Sequence, residues 1–366
     1  MVAKLEVAFE APQPPIDMKK MGAFMSRIVA DMSSALACLL CALGDRLGLF
    51  QALSAQGPAT AAELARRAGI DERFAREWLN ALACAGYLEF DAEGARFTLP
   101  PEYAAPLAQE GGPMFMGGGY QQLLGLLGPV DQLVMAARSG DGVPQDAYRD
   151  DLWQGMERMS ATWFDNQLVQ HWIPLVPDLQ SKLDKGIRVA DVGCGSGRAL
   201  INLAQAYPRS SFVGYDAFES AALRATANAK AAGVADKVRF ETVDVAEGLP
   251  EDFDLITSFD SLHDFVEPLA GLQAIRQALR PEGTYLVLEM NCSDKLADNV
   301  GPVGTILYGT SVFYNLPVSL ANGGEGEGTM AFPESRVRRL CRQAGFAEVR
   351  RLPVQNPFNV LYQVTP

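Results

Sequence analysis

Apolar residues recur along this chain with two periods, and the switch between them divides it. From about Met21, through SRIVADMSSALACLLCALGDRLGLFQAL, they fall three and four apart, which predicts helix with one apolar side. PATAAELARRAGIDERFAREWLNALACAGYLEFDAEGARFTLP continues the pattern in shorter pieces. Thr60 and Glu63 make a capping box for a helix that stops at Gly69, and Asp71 caps a second that closes at Gly86. Phe74, Trp78, Leu79 and Leu82 are expected on the buried face of that second helix. YLEF and ARFTL flank the turn Asp91–Gly94 as a hairpin, and two helices plus a hairpin form a winged-helix pattern. Residues 1–20, mixed in proline and charge, read as a partly disordered or exchanged arm.

From Lys185 the period changes. The apolar runs IRVADV, SFVGYD, VRFETVD, FDLITSF and TYLVLE alternate with helical stretches such as INLAQAY and LAGLQAIRQALR. Short, nearly continuous apolar strands between helices predict a parallel sheet covered on both faces. A long irregular insert, Asn291–Phe332, then precedes the helix SRVRRLCRQAG and two closing strands, EVRRLPV and FNVLYQV, spaced for an antiparallel hairpin. The resulting division is a winged-helix-like domain over 1–110, connecting helices over 111–180 and an α/β domain over 181–366. His171, among Trp172, Ile173 and Leu175, reads as a packed helical histidine.

Composition narrows the possible partners. A net charge of −13 over 366 residues opposes broad contact with nucleic acid or anionic lipid. The first hundred residues hold ten basic against twelve acidic side chains, and DERFAREWLN, where a recognition helix would lie, carries three acids; an oligomerisation module fits better than a DNA reader. No apolar leader opens the sequence, and its longest uninterrupted apolar run, Ala35–Leu43, is too short for a bilayer, so a cytoplasmic protein without a membrane partner is expected. Cys38 and Cys41, in a C-x-x-C inside an apolar helical run, read as core residues, and two histidines in the chain argue against a metal centre.

The chemistry gathers at VADVGCGSGRAL, Val189–Leu200. Gly193, Gly195 and Gly197 alternate, unlike the G-x-G-x-x-G of a dinucleotide turn, and Asp191 stands where it would face a pyrophosphate with like charge. A carboxylate there suits a cofactor with a cationic, amino-acid-like end, with glycines letting it approach the backbone. Asp216, closing SFVGYD, is placed to accept from ribose hydroxyls, and Asp244, closing VRFETVD, from an adenine amino group. Past the fourth strand lies SFDSLHDFVEPL, which puts His263, an imidazole suited to proton transfer near neutrality, at the same edge.

On these residues, roughly 185–366 resembles a class I S-adenosylmethionine-dependent methyltransferase. The resemblance implies a Rossmann-like, doubly wound seven-stranded sheet with an antiparallel last strand. It also implies S-adenosylmethionine as cofactor, near Asp191, Gly193, Cys194, Gly195, Gly197, Asp216, Asp244, Val245 and Phe259. LHDFVEPLAGLQAIRQAL is similar to the L-H-D-W region of small-molecule O-methyltransferases, although Phe265 replaces the tryptophan. That group implies His263 as general base, Glu289 and Glu327 as acids that hold it, a small-molecule acceptor, and a homodimer built through the N-terminal domain. Asp264 is expected to cap the following helix rather than orient His263. Aromatic residues of the insert (Tyr308, Phe313, Tyr314), with Met114, Met116 and Trp163, are expected to wall the acceptor pocket. Two alternatives remain at this point: sulfur or nitrogen methylation needing no base, and a winged-helix regulator that senses the cofactor.

Overall fold

The first unit of the chain, ending at Ala104, is organised by its helix ends. In the computed structural model, which describes residues 16–366, a helix spans Met18–Arg46 and starts where the Asp17 carboxylate accepts from Lys19 N and Lys20 N. The expected arm over 1–20 therefore lies mostly outside the described residues. Both halves of the Thr60–Glu63 capping box form, and Asp71 accepts from Arg73 N at 2.9 Å. Trp78, on the helix Glu72–Cys84, donates from Nε1 to Leu40 O at 2.8 Å and packs directly against Gly44, where an added Cβ would stand 2.3 Å from the indole. The buried positions of Glu72–Cys84 are Ala75, Trp78, Leu79 and Leu82, an unbroken i, i+3, i+4, i+7 stripe. Phe74 sits one residue, about 100° of turn, off that stripe and is 71% exposed, contrary to expectation. Strands β1 (Glu89–Asp91) and β2 (Arg96–Thr98) complete the wing.

The second unit is built on a seven-stranded sheet. Its strands are β3 (Arg188–Val192), β4 (Ser211–Asp216), β5 (Val238–Thr242), β6 (Phe253–Phe259), β7 (Leu279–Met290), β8 (Glu348–Arg351) and β9 (Asn359–Thr365). They lie in the order β5-β4-β3-β6-β7-β9-β8, parallel from β5 to β7, with β9 antiparallel to both neighbours. Alternate side chains feed opposite layers. Val189, Phe212 and Leu255 pack with Leu168, Trp172, Leu200 and Leu203, whereas Ala190, Val213 and Ile256 pack with Leu272, Ile275, Val337 and Cys341. Each large aliphatic side chain buried this way contributes about 1.5–3 kcal/mol. The chain leaves β3 toward one edge and returns to β6 on its other side, which opens a crevice at the carboxyl ends of β3 and β6.

Helices cover this edge. Gly117–Leu126 and Asp150–Trp163 cross with almost no side chain between them, since a Cβ on Gly125 would stand 2.3 Å from Leu152 N, and one on Gly118 2.7 Å from Gly155 O. Two segments carry the widened turns of a π-helix, Phe164–Trp172 and Ser311–Asn315. The first buries Phe164, Leu168 and Trp172 and leaves His171 exposed, so the packed histidine read from the sequence is a solvent-facing one. The insert expected to be irregular is largely helical, through Pro302–Thr310, Ser311–Asn315 and Leu316–Ala321. Pro302 sits in the first turn of its helix, where a missing N–H costs nothing.

Candidate active site

The turn after β3 is held by its own backbone. Gly193 N and Cys194 N both donate to Tyr215 O, at 2.8 and 3.1 Å, and Gly197 N donates to Cys194 O. Gly193, Gly195 and Gly197 have φ of 70°, 51° and 77°, a left-handed backbone that costs other residues about 1 kcal/mol or more each. Two of them are also packed: a Cβ on Gly193 would lie 2.4 Å from Ser261 Cβ, and one on Gly197 2.5 Å from the Phe240 ring. At Gly195 nothing stands within 4 Å, so the bare backbone faces open space.

Two carboxylates flank the turn, Asp191 on β3 and Asp216 at the end of β4. Asp216 accepts from Gly195 N at 2.9 Å and Phe218 N at 3.0 Å, one bond per oxygen, which leaves lone pairs on both oxygens for further donors. Asp191 is buried and accepts from the Thr257 hydroxyl at 2.6 Å. Burial pushes the Asp191 carboxyl up to about 7, against the Thr257 hydrogen bond, and the charge of Asp216 adds to the rise. Among the described residues no cationic side chain pairs with Asp191, so a bound cation could neutralise it. The cradle therefore fits a ligand with a cationic end and vicinal hydroxyls.

The other candidate residues fall in different places. Cys194 is buried under the turn. Asp244 is exposed and accepts from Ala246 N at 2.9 Å, capping its own short turn. Val245 and Phe259 are buried in the two core layers, Phe259 between Phe164 and Trp172.

Across the crevice, His263 is 4% exposed in the turn Leu262–Asp264. Glu289, fully buried on β7, accepts from the His263 backbone N at 3.2 Å and pairs with Nδ1 at 2.9 Å. This contact commits Nδ1–H to Glu289 and leaves Nε2 as the nitrogen available for chemistry. Burial alone would depress the basicity of His263. The carboxylates of Glu289, Asp264 and Asp260 outweigh it and push the imidazole up to about 10.

Asp260 is one of the residues the sequence reading missed. It has φ of 54°, donates its N–H to Leu288 O, and receives the Asn359 amide from β9; burial and Glu289 push its carboxyl up to about 8. Asp264 departs from its expected role. The N-terminus of the helix Pro268–Ala278 falls at Glu267, and the Asp264 carboxylate accepts instead from Asn315 Nδ2 at 2.8 Å. Glu327 is paired with Arg336, and no hydrogen bond or ion pair among the described residues joins it to His263. Of the expected pocket walls, Tyr314 is buried against Tyr148 and Trp153, Tyr308 is 39% exposed, and Met114 is 65% exposed.

Residues 183–316 match a methyltransferase-domain family, and residues 34–109 match the Rv2258c-like winged HTH domain. A 3-hydroxy-5-methyl-1-naphthoate 3-O-methyltransferase of Streptomyces sahachiroi is 28% identical over 327 residues, 85% of this chain and 86% of the relative. A ubiquinone biosynthesis O-methyltransferase of Dinoroseobacter shibae is 31% identical over 111 residues, 30% of this chain. The chain spans less than half the length of that relative, 44%. Among solved structures, human N-acetylserotonin methyltransferase in complex with SAM superposes with a TM-score of 0.65 at 17% identity, covering 93% of this chain and 97% of that one. At that identity the likeness speaks for the fold.

Proposed function

We propose that this chain, a winged-helix domain joined to a class I methyltransferase domain, transfers the methyl group of S-adenosylmethionine to a hydroxyl of a small acceptor. One observation carries the reading: the glycine cradle with Asp191 and Asp216, at the ends of β3 and β4, and the His263–Glu289 pair, at the ends of β6 and β7, share one edge of the sheet, where the charge of Asp264 reaches Asp216. The 3-O-methyltransferase of Streptomyces sahachiroi, similar over 85% of this chain, supports the oxygen acceptor.

Asp191 would hold the cationic amino-acid end of the cofactor, Asp216 its ribose hydroxyls, and Asp244 its adenine side. Bound there, S-adenosylmethionine would supply an electrophilic methyl group. His263 Nε2 would take the proton of the acceptor's hydroxyl. Glu289 fixes the ring and, with Asp260 and Asp264, stabilises the imidazolium that results. Held near 10, His263 is mostly imidazolium at neutral pH in the resting protein, so it accepts the acceptor's proton from its neutral fraction, which grows as pH rises.

The test is a His263→Ala variant assayed with labelled cofactor against phenols, thiols and amines. Cofactor binding should persist while turnover of phenols falls by about 100-fold or more. Full turnover of phenols by the variant removes His263 from the reaction.

The helix Met18–Arg46 exposes Met21, Phe24, Met25, Val29, Met32 and Leu36 along its length, and we assign this face to a second copy of the chain. The same helix is long and apolar enough to cross a membrane by length and composition, a measure wider than the uninterrupted run considered in the sequence. A cytoplasmic homodimer accommodates this face without a bilayer.

A further inference from the structure

The insert reaches the base through side chains that neither the cradle nor the His263–Glu289 pair uses. Asn315 ends the π-turned segment Ser311–Asn315 and is 5% exposed. Its Nδ2 donates to Asp264 Oδ1 at 2.8 Å, and its Oδ1 accepts from the hydroxyl of Thr329, which is 2% exposed in the turn Thr329–Ala331. The same Asp264 Oδ1 lies 3.9 Å from His263 Nε2, the nitrogen left over by Glu289. Gly328, just before Thr329, has its bare Cα against the Ser311 hydroxyl, where a larger residue would push the two arms of the insert apart.

We infer that Asn315 and Thr329 are positioning residues for the methyl-transfer base: the Thr329–Asn315–Asp264 chain holds a carboxylate at His263 Nε2 and makes the basicity of His263 depend on the insert being in place. The inference rests on the reading of His263 as the base. Its physical content is a sequence of donations. Thr329 donates to the amide oxygen and so fixes which end of Asn315 faces Asp264. The amide N–H₂ then stabilises Asp264 as an anion, offsetting the burial that otherwise raises its carboxyl. The anion in turn favours the imidazolium over the imidazole. Around His263 the charged neighbours are Glu289 from β7, Asp260 from the end of β6, and Asp264 from its own turn; around Asp264 they are His263, Glu289, Asp216 and the Tyr314 hydroxyl. Only Asp264 among the acids around His263 is held from the insert.

The chain contains two histidines, His171 exposed and His263 buried, so side-chain nitrogen labelling gives two resolvable signals in the full-length protein. Asn315→Ala should move the His263 titration toward acid by about half a pH unit or more, and Asp264→Asn by about one unit or more, with His171 fixed. Thr329→Val, which keeps the shape and removes the donor, should shift it in the same direction, and Thr329→Ser should restore the wild-type value. A His263 titration unmoved within about 0.2 unit, or moved toward alkali, in both Asn315→Ala and Thr329→Val overturns the inference. The titration needs no acceptor and no turnover, so it stands apart from the fate of the methyltransferase reading. Loss of that reading would show in His263→Ala turnover; loss of this one would show in the spectra.

Discussion

Asp191→Asn should make the cofactor-free protein more stable while ruining its affinity for the cofactor. The native carboxyl rises from 3.8 to about 7, chiefly because burial disfavours its charge. Its folded-state affinity for a proton thus exceeds that of the unfolded chain. The wild type accordingly loses stability as pH rises from 3.8 through about 7, and the loss is complete above it. Each pKa unit is worth about 1.4 kcal/mol, so the full cost is about 4 kcal/mol at pH 8 and less than half of that at pH 5. Asparagine keeps the shape and can still accept from Thr257, so it removes the charge and little else. For a chain of this size the gain at pH 8 corresponds to a Tm higher by about 5 °C or more, shrinking toward pH 5. Cofactor binding should invert the order. A cation beside Asp191 lowers its pKa, so wild-type affinity should rise about tenfold per pH unit up to 7 and level off above, while the variant binds weakly at every pH. Calorimetric melting and binding titrations at pH 5, 6, 7 and 8 measure both. A variant no more stable than wild type at pH 8, or a gain that does not shrink at pH 5, would refute the electrostatic account.

Glu289→Gln should lower turnover of a phenolic acceptor by about 100-fold or more and shift the pH–rate limb toward acid, because the largest charge raising His263 is gone. The raised imidazolium stabilises the wild-type fold most fully below its unfolded pKa of 6.5, and that contribution disappears as pH climbs through about 10; urea melts at pH 8 and 10.5 should show the loss in wild type and not in the variant. Gly193→Ala places a Cβ 2.4 Å from Ser261 in a left-handed backbone and should cost about 3 kcal/mol, read as a lower denaturant midpoint. Phe24→Glu with Met32→Glu should convert a dimer into a monomer by light scattering; unchanged mass would remove the Met18–Arg46 face from the interface, and flotation with vesicles would reassign it to lipid.

Local signals made most of the fold legible. The Thr60 box, the Asp71 cap and the alternating apolar strands each depend on neighbours within a few residues, and the structure contains all of them. The apolar pattern also located the strand ends at which Asp191, Gly193 and Glu289 stand. What escaped was set by contacts between distant segments. Asp264 looked like a cap because its nearest helix invites one, and only Asn315, fifty-one residues on, claims its carboxylate. Asp260 carried no motif; its left-handed turn and its bond to Asn359 belong to the folded sheet. The exposure of His171 follows from a π-turn that helical periodicity does not encode. Glu327 was placed by distance along the chain, and Arg336 holds it.

The position of β9 has a consequence for truncated forms of the chain. This strand, Asn359–Thr365, is inserted between β7 and β8 and supplies Asn359 to Asp260. Removal of β9 would therefore leave a sheet edge open to pairing with other chains and a His263 turn without its Asn359 brace.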